Sequence, residues 1–287
     1  ERPCTCARPV EESRRLMIGD GPPPSHVIGA FQVDGVPVRL SGGGGRAWRV
    51  GDAVLKPIDV PAAQLDWQAN LFASLHCRTS VRLPLPITAT GGELAVDGWC
   101  ANTFLEGAHL PRRWREIIDA GEAFHRDIAE VPRPAFLDDR NDPWAIGDRV
   151  AWGELSIDDV PETKHVERLI ERLQPVERPF QLIHGDLTGN VLFHDRLPPA
   201  VIDFAPYFRP ALFATAVVAA DALVWEGADE SLVLALVERE PDFVQFLLRA
   251  LIYRAVTDRL FRLDEPLRAD ADDAYLPAVD LAAEMTR

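Results

Sequence analysis

The pattern of apolar and polar positions is sharpest between Gln181 and Phe204. Three short apolar runs, 181–183, 191–193 and 200–202, are separated by a polar stretch, His184-Gly185-Asp186-Leu187-Thr188-Gly189-Asn190, and by a turn through Pro198-Pro199; the last run delivers Asp203. Apolar runs this short, bounded by turn residues, predict strands. The stretch therefore reads as strand, polar loop, strand, turn, strand, acid. Upstream, short strands are predicted over 36–40, 47–50 and 53–56, with Asp34-Gly35 turning into the first and Gly51-Asp52 closing a hairpin between the second and third. A short helix over 25–31, capped by Ser25, precedes them, and a second hairpin is predicted over 87–90 and 93–96 around Gly91-Gly92, with 99–105 as the last strand of that sheet. Helical spacing appears in 60–76, where Leu65, Leu71, Phe72 and Leu75 form a stripe, and more strongly in 111–129, where Trp114, Ile117, Ile118, Gly121, Phe124, His125 and Ile128 recur on one face. The segment 132–148 reads as a loop-rich insert, 162–173 as a helix, and everything after Asp203 as helical: 210–225, 230–238, 241–261 and 276–285. The expected class is α+β, with a small antiparallel sheet first and a mainly helical remainder.

The loop 184–190 carries chemistry. Phosphoryl transfer asks for little covalent help from a protein, but it needs a base near the attacking hydroxyl and ligands for the cation that neutralises the phosphates. Asp186 can accept a hydroxyl proton, while Asn190 and Asp203 offer hard oxygen ligands suited to Mg²⁺. His184 is then a scaffold residue. One Asp in a polar turn is ordinarily just solvated; four such residues in order, each flanked by a strand, point to a site. Between the first two strands lies Ser41-Gly42-Gly43-Gly44-Gly45. Glycines let main-chain amides approach phosphate oxygens, although the same run also makes a plain linker. Lys56 follows one hairpin later, and Lys164 is the only other lysine in a chain that otherwise uses arginine. A compact ammonium is a good point charge for phosphate.

His184-Gly185-Asp186-Leu187, Asn190-Val191-Leu192 and Ile202-Asp203-Phe204, together with Ala53-Val54-Leu55-Lys56, resemble the catalytic loop, metal-binding Asp-Phe and lysine strand of the protein-kinase-like superfamily. The form is that of the aminoglycoside phosphotransferase and choline kinase branch, and the resemblance covers about 25–261. It implies a two-lobed kinase-like fold: an extension over 1–24, a nucleotide-binding lobe over 25–105 and a catalytic and acceptor lobe over 106–287. It implies ATP and Mg²⁺ as cofactors, Asp186 as catalytic base braced by His184, and Asn190 and Asp203 as metal ligands. Ser41 and Gly42, Gly43, Gly44 and Gly45 would cradle the phosphates with Lys56. Asp66 would pair with Lys56, Asp59 being the other option, and the main chain of Cys100, Ala101 and Asn102 would face the adenine edge. One departure stands out: Asn190 follows Asp186 by four residues where the family has five, so the loop must tighten at Thr188 and Gly189. There is no Ala-Pro-Glu signature or activation segment, so the implied acceptor is a hydroxyl on a small molecule rather than a protein. The rival reading is a nucleotide-binding pseudokinase that regulates and turns nothing over.

Composition narrows the partners. With 30 Lys plus Arg against 45 Asp plus Glu, a net charge of −15 and a pI near 4.9, the chain is a poor fit for nucleic acid or anionic membranes. That balance suits a cationic acceptor, though solubility alone accounts for many acidic proteins. No apolar run approaches the roughly 20 residues that cross a bilayer, and the expected setting is cytoplasmic. Cys4, Cys6, Cys77 and Cys100 form no disulfide or zinc framework. Asp221, Glu226, Asp229, Glu230 and Asp258 fall where the resemblance puts an acceptor cleft, or on solvated helix faces.

Overall fold

The computed structural model describes residues 21–40, 45–75, 78–267 and 273–286. Most of the expected 1–24 extension, and Ser41 with the glycines 42–44, lie outside them. The chain divides into two compact units, one running to Ala108 and taking in Leu192–Asp203, the other formed by His109–Val191 with Phe204–Arg287. The sequence had suggested a single cut at 105/106 and no return of 192–203 to the first unit.

The first unit is built on a five-stranded antiparallel sheet of order β1 (Val38–Arg39), β2 (Trp48–Val50), β3 (Ala53–Pro57), β5 (Trp99–Thr103) and β4 (Pro86–Ile87). Along β3 the alternation is clean: Ala53, Leu55 and Pro57 are buried, while Val54 and Lys56 face the other way. That period of two puts Lys56 opposite Cys100 on the face away from the core. The buried face meets α1 (Ser25–Ala30), whose Val27 packs with Phe31, Val50, Leu55 and Trp99. Then α2 (Ala62–Leu75) buries Gln64, Leu71, Phe72 and Leu75. The predicted hairpin around Gly91-Gly92 is not the one that forms. The tight turn is Asp97-Gly98, with φ of 46° and 77°, and Val96 and Trp99 exchange both main-chain hydrogen bonds across it. Two positive φ values at an Asp-Gly pair match the right-handed twist of a hairpin; Gly91-Gly92 only turns the chain from Ala89 to Glu93. The ribbon of β7 (Val191–Leu192) and β8 (Ala200–Val201) leads to Asp203. Arg82 ties that segment down: its main chain bonds Pro199 and Val201, Nε donates to the Pro198 carbonyl at 2.8 Å and Nη2 to the Glu106 carbonyl at 2.7 Å.

In the second unit, α3 (Trp114–Asp127) presents the predicted apolar face, burying Ile117, Ile118, Gly121, Phe124 and His125. The insert read as loop contains most of a helix, α4 (Pro143–Ala151), started by Asp142, whose side chain accepts from the Ala145 N–H. Proline at the first helical position and an Asx cap make a strong start signal. Next come α5 (Val166–Ile170), shorter than predicted, and β6 (Gln181–His184), which pairs with β9 (Pro206–Arg209). The strand β9 corrects the all-helical expectation after Asp203; it opens on Pro206, is followed by Pro210, and its four residues are too few to show a period. Three helices close the core, α6 (Ala211–Trp225), α7 (Glu230–Arg239) and α8 (Phe243–Phe261), with α9 (Leu276–Glu284) packing on α6 and α8. A buried ion network joins α4 to β9: Arg209 donates to Asp148 at 2.6–3.2 Å and to Glu154 at 2.5 and 2.9 Å. No described helix is long and apolar enough to cross a membrane.

Candidate active site

Strand β6 ends on His184, and from there each residue of the polar loop is held by a specific bond. The His184 N–H donates to Nε2 of His125 on α3 at 3.0 Å, and the Asp186 N–H donates to Nδ1 of His184 at 3.1 Å. Burial, with His184 adding, pushes the His125 pKa down to about 3, so its ring is neutral and accepts through Nε2. The Gly185 N–H donates to the Ala205 carbonyl at 2.9 Å, and a Cβ on Gly185 would run into the Tyr207 ring. His184 is thus a brace for the Asp186 backbone. The shortened spacing is absorbed as a turn: Gly189 takes φ +82° and the Asn190 N–H closes onto the Leu187 carbonyl at 2.9 Å. The Asn190 amide nitrogen donates back to the Asp186 carbonyl at 2.7 Å and lies 3.4 Å from Oδ2 of its carboxylate.

The Asp186 carboxylate has a partner that the sequence did not suggest. Nη2 of Arg254, on α8, donates to Asp186 Oδ1 at 2.8 Å. Arg254 also binds Asp221 of α6, Nε to Oδ1 at 2.7 Å and Nη2 to Oδ2 at 2.6 Å, and both side chains are only 2 % exposed. Burial opposes the guanidinium charge, but the two carboxylates outweigh it and hold Arg254 firmly protonated. Asp221 is therefore a buried counter-ion and not an acid of an open cleft. Other acids from that group are also engaged: Glu226 accepts from the Trp114 indole, Asp229 caps α7 through Ser231, and Asp258 pairs with Arg262. The signal for the clamp was Asp221, the one charge in the otherwise apolar α6, since an Asp is rarely fully buried without a partner; Arg254 is one of three arginines on α8 and gave no such sign.

In the first unit the structure brings Lys56 and Asp203 together. Lys56 Nζ donates to Asp203 Oδ1 at 2.7 Å, with both side chains about a third exposed. Burial works against the ammonium, yet attraction from Asp203, and then Asp59, raises its pKa above the ordinary value. Asp66, the expected partner, is exposed. It sits two residues beyond buried Gln64, about 200° round α2 and so on the opposite face. Asp203 itself has φ +46°, an αL backbone that a non-glycine residue adopts at some cost and that is common at functional positions. Of the glycine run, only Gly45 falls among the described residues; its φ is +71° and its carbonyl accepts from Arg39 Nε at 2.5 Å. Cys100, Ala101 and Asn102 sit in the middle of β5, not past its end. Ala101 and Asn102 have β4 on one side and β3 on the other, so their main chain belongs to the sheet and does not present a free adenine edge. Cys100 is a buried free thiol whose pKa burial pushes up.

Comparison with family models matches residues 38–208, more than half of the chain, to the phosphotransferase enzyme family. Comparison with curated protein sequences returns no match. Among solved structures, a spectinomycin phosphotransferase in complex with ADP and spectinomycin superposes with a TM-score of 0.56 at 12 % identity, over 91 % of this chain and 97 % of that one. A microcompartment-associated aminopropanol kinase gives 0.56 at 13 %, over 91 % and 94 %. An aminoglycoside phosphotransferase from Alicyclobacillus acidocaldarius gives 0.53 at 13 %, over 96 % and 94 %. At such identities the likeness is one of fold, and it agrees with the small antiparallel sheet and helical remainder described above. The matched span runs from the first strand of that sheet through the loop bearing His184, Asp186 and Asn190, and the chain belongs to the phosphotransferase enzyme family.

Proposed function

We propose that the protein transfers the γ-phosphoryl group of ATP to a hydroxyl of a small, amine-bearing alcohol. The observation that carries this reading is the carboxylate of Asp186, fixed through its backbone by His184, through Oδ1 by Arg254 and, more loosely at 3.4 Å, through Oδ2 by Asn190. A base within hydrogen-bond reach of the attacking group is what in-line phosphoryl transfer asks of the protein. Asn190 turns its amide nitrogen toward Asp186, which leaves its amide oxygen for a cation. Asp203 gives Oδ1 to Lys56 and keeps Oδ2. Hard oxygens of this kind fit Mg²⁺, which needs one or two protein ligands and takes the rest from phosphate and water. Bound Mg²⁺ would supply charge neutralisation at the phosphates. Lys56 presents its ammonium to phosphate oxygens, Ser41 and the 42–45 glycines offer main-chain amides, and the segment 104–107 just past β5 takes over the adenine edge from 100–102. The spectinomycin phosphotransferase and the aminopropanol kinase act on alcohols that also carry amines, and the net charge of −15 favours such a cation. We place the activity in the cytoplasm, where ATP is available and a free thiol such as Cys100 stays reduced.

The test is ADP release from MgATP with spectinomycin, hygromycin B, 1-amino-2-propanol and simple amino sugars as acceptors, beside Asp186→Ala. Acceptor-stimulated release that falls by roughly 10²-fold or more in the variant is the expected result. Near-native release by Asp186→Ala would sink the assignment, and ATP binding with no release under any acceptor would favour a pseudokinase.

A further inference from the structure

The clamp on Asp186 is more than a buried ion pair. Arg254 and Asp221 would satisfy each other with Nε and Nη2 on the two carboxylate oxygens, and that pairing alone would account for their burial. Instead Nη2 is shared: it lies 2.6 Å from Asp221 Oδ2 and 2.8 Å from Asp186 Oδ1. We propose that Arg254, held by Asp221, is a positioning residue that fixes the plane of the Asp186 carboxylate for its role as base.

The terminal torsion of an aspartate is soft, so a base on a seven-residue loop needs something to set the plane of its carboxylate. A charge-assisted bond to one oxygen does this, provided that the donor cannot move. Arg254 cannot. Its planar fork is set by two bonds to Asp221, and its guanidinium lies 5.5 Å from the Trp144 ring centroid and 5.1 Å from that of Tyr253. Asp221 has a second effect. An arginine facing Asp186 by itself would pull electron density from the very oxygen pair that must accept a proton; a second carboxylate on the same guanidinium balances that pull. Two acids and one base give the group a net charge of −1, with the cation buried between them.

The inference rests on Asp186 acting as the base, and the experiment separates the two claims. ADP release from MgATP is measured with spectinomycin, 1-amino-2-propanol and water as acceptors. The paired change Asp221→Asn with Arg254→Gln removes one buried charge of each sign and so avoids stranding either. It is made in the native chain and again in an Asp186→Asn background. If Arg254 works through Asp186, the pair lowers kcat by about 10²-fold in the native chain, with the KM for ATP changed by less than about twofold. It then costs nothing further once Asp186 is Asn. Equal losses in both backgrounds, or an undiminished kcat, overturn the proposal. Arg254→Lys, which keeps the charge but loses the two-nitrogen grip on Asp221 that fixes the fork, gives the same pattern and serves if the pair does not fold; a fully active Lys variant also overturns it. If the native protein releases no more ADP than Asp186→Asn with any acceptor, the phosphotransfer reading fails and takes this inference with it. If Asp186→Asn is inactive while the Arg254 variants are not impaired, this inference alone fails.

Discussion

Acid should destabilise this protein through one buried side chain. His125 is buried inside α3, accepts the His184 N–H through Nε2, and has its pKa pushed down to about 3. In the unfolded chain the same imidazole returns to about 6.5. The folded pKa is the lower of the two, so below about pH 6.5 the unfolded state binds a proton that the folded state refuses. His125 therefore costs nothing above that pH, and stability drains away as the pH falls from about 6.5 toward 3. Each pH unit is worth about 1.4 kcal/mol, which gives about 2 kcal/mol lost by pH ~5 and about 4 kcal/mol by pH ~3, where the folded ring begins to take up its own proton, against a typical total of about 5–15 kcal/mol. His125→Gln keeps an acceptor for the His184 N–H and does not titrate. Urea unfolding followed by far-ultraviolet circular dichroism at about pH 8 and about pH 5 measures the effect. The native protein should lose about 2 kcal/mol more than the variant between the two, other titrating groups cancelling in the difference. Equal losses would refute the claim that a neutral, proton-refusing His125 supports the loop.

Three further outcomes follow from geometry already described. Asp148→Ala strands Arg209 in the core with only Glu154 and should cost about 3–5 kcal/mol in chemical denaturation, while Asp148→Leu with Arg209→Met should be close to neutral. A Cβ at Gly147 would sit 2.7 Å from the Tyr253 carbonyl and also crowd Thr257, so Gly147→Ala should force α4 off α8 and lower stability by about 1–3 kcal/mol in a thermal melt. Lys56→Met removes a partly exposed ion pair worth at most about 1 kcal/mol, so its melting temperature should barely move, yet its KM for ATP should rise by about 10- to 100-fold. Unchanged nucleotide affinity would show that Lys56 does not meet phosphate.

What could be read from the sequence was local. The strand carrying Lys56 alternates with period two, the catalytic loop is bracketed by apolar runs, and the turn at Gly189 announces itself by residue type; each is decided by a few neighbouring residues. What could not be read depends on partners far along the chain. Asp66 has the right chemistry to pair with Lys56, but helical phase turns it away, and Asp203 takes the place from 147 residues downstream. Arg254 meets Asp186 across 68 residues and is itself held by Asp221, on a separate helix, across 33. The one sequence trace of such a contact is a charge where an apolar helix should have none. The strand 206–209 was missed for a related reason: it exists because 181–184 is there to pair with it. The hairpin went to Asp97-Gly98 over Gly91-Gly92 because Val96 and Trp99 could pair directly across it.

The first unit is discontinuous in the chain, and this bears on how the protein can be made. Residues 192–203 belong with the segment ending at Ala108, bonded there through Arg82, and they bring the counter-ion of Lys56. On a ribosome, where domains tend to fold as they emerge, this unit must wait until residue 203 is out, long after its own sheet has been synthesised. By then all of 109–191 has already appeared, so the two units must mature together. A fragment ending near residue 108 should emerge with all five strands of its sheet but without the 192–203 segment and without Asp203 beside Lys56, and no single cut in the gene would yield two self-sufficient halves.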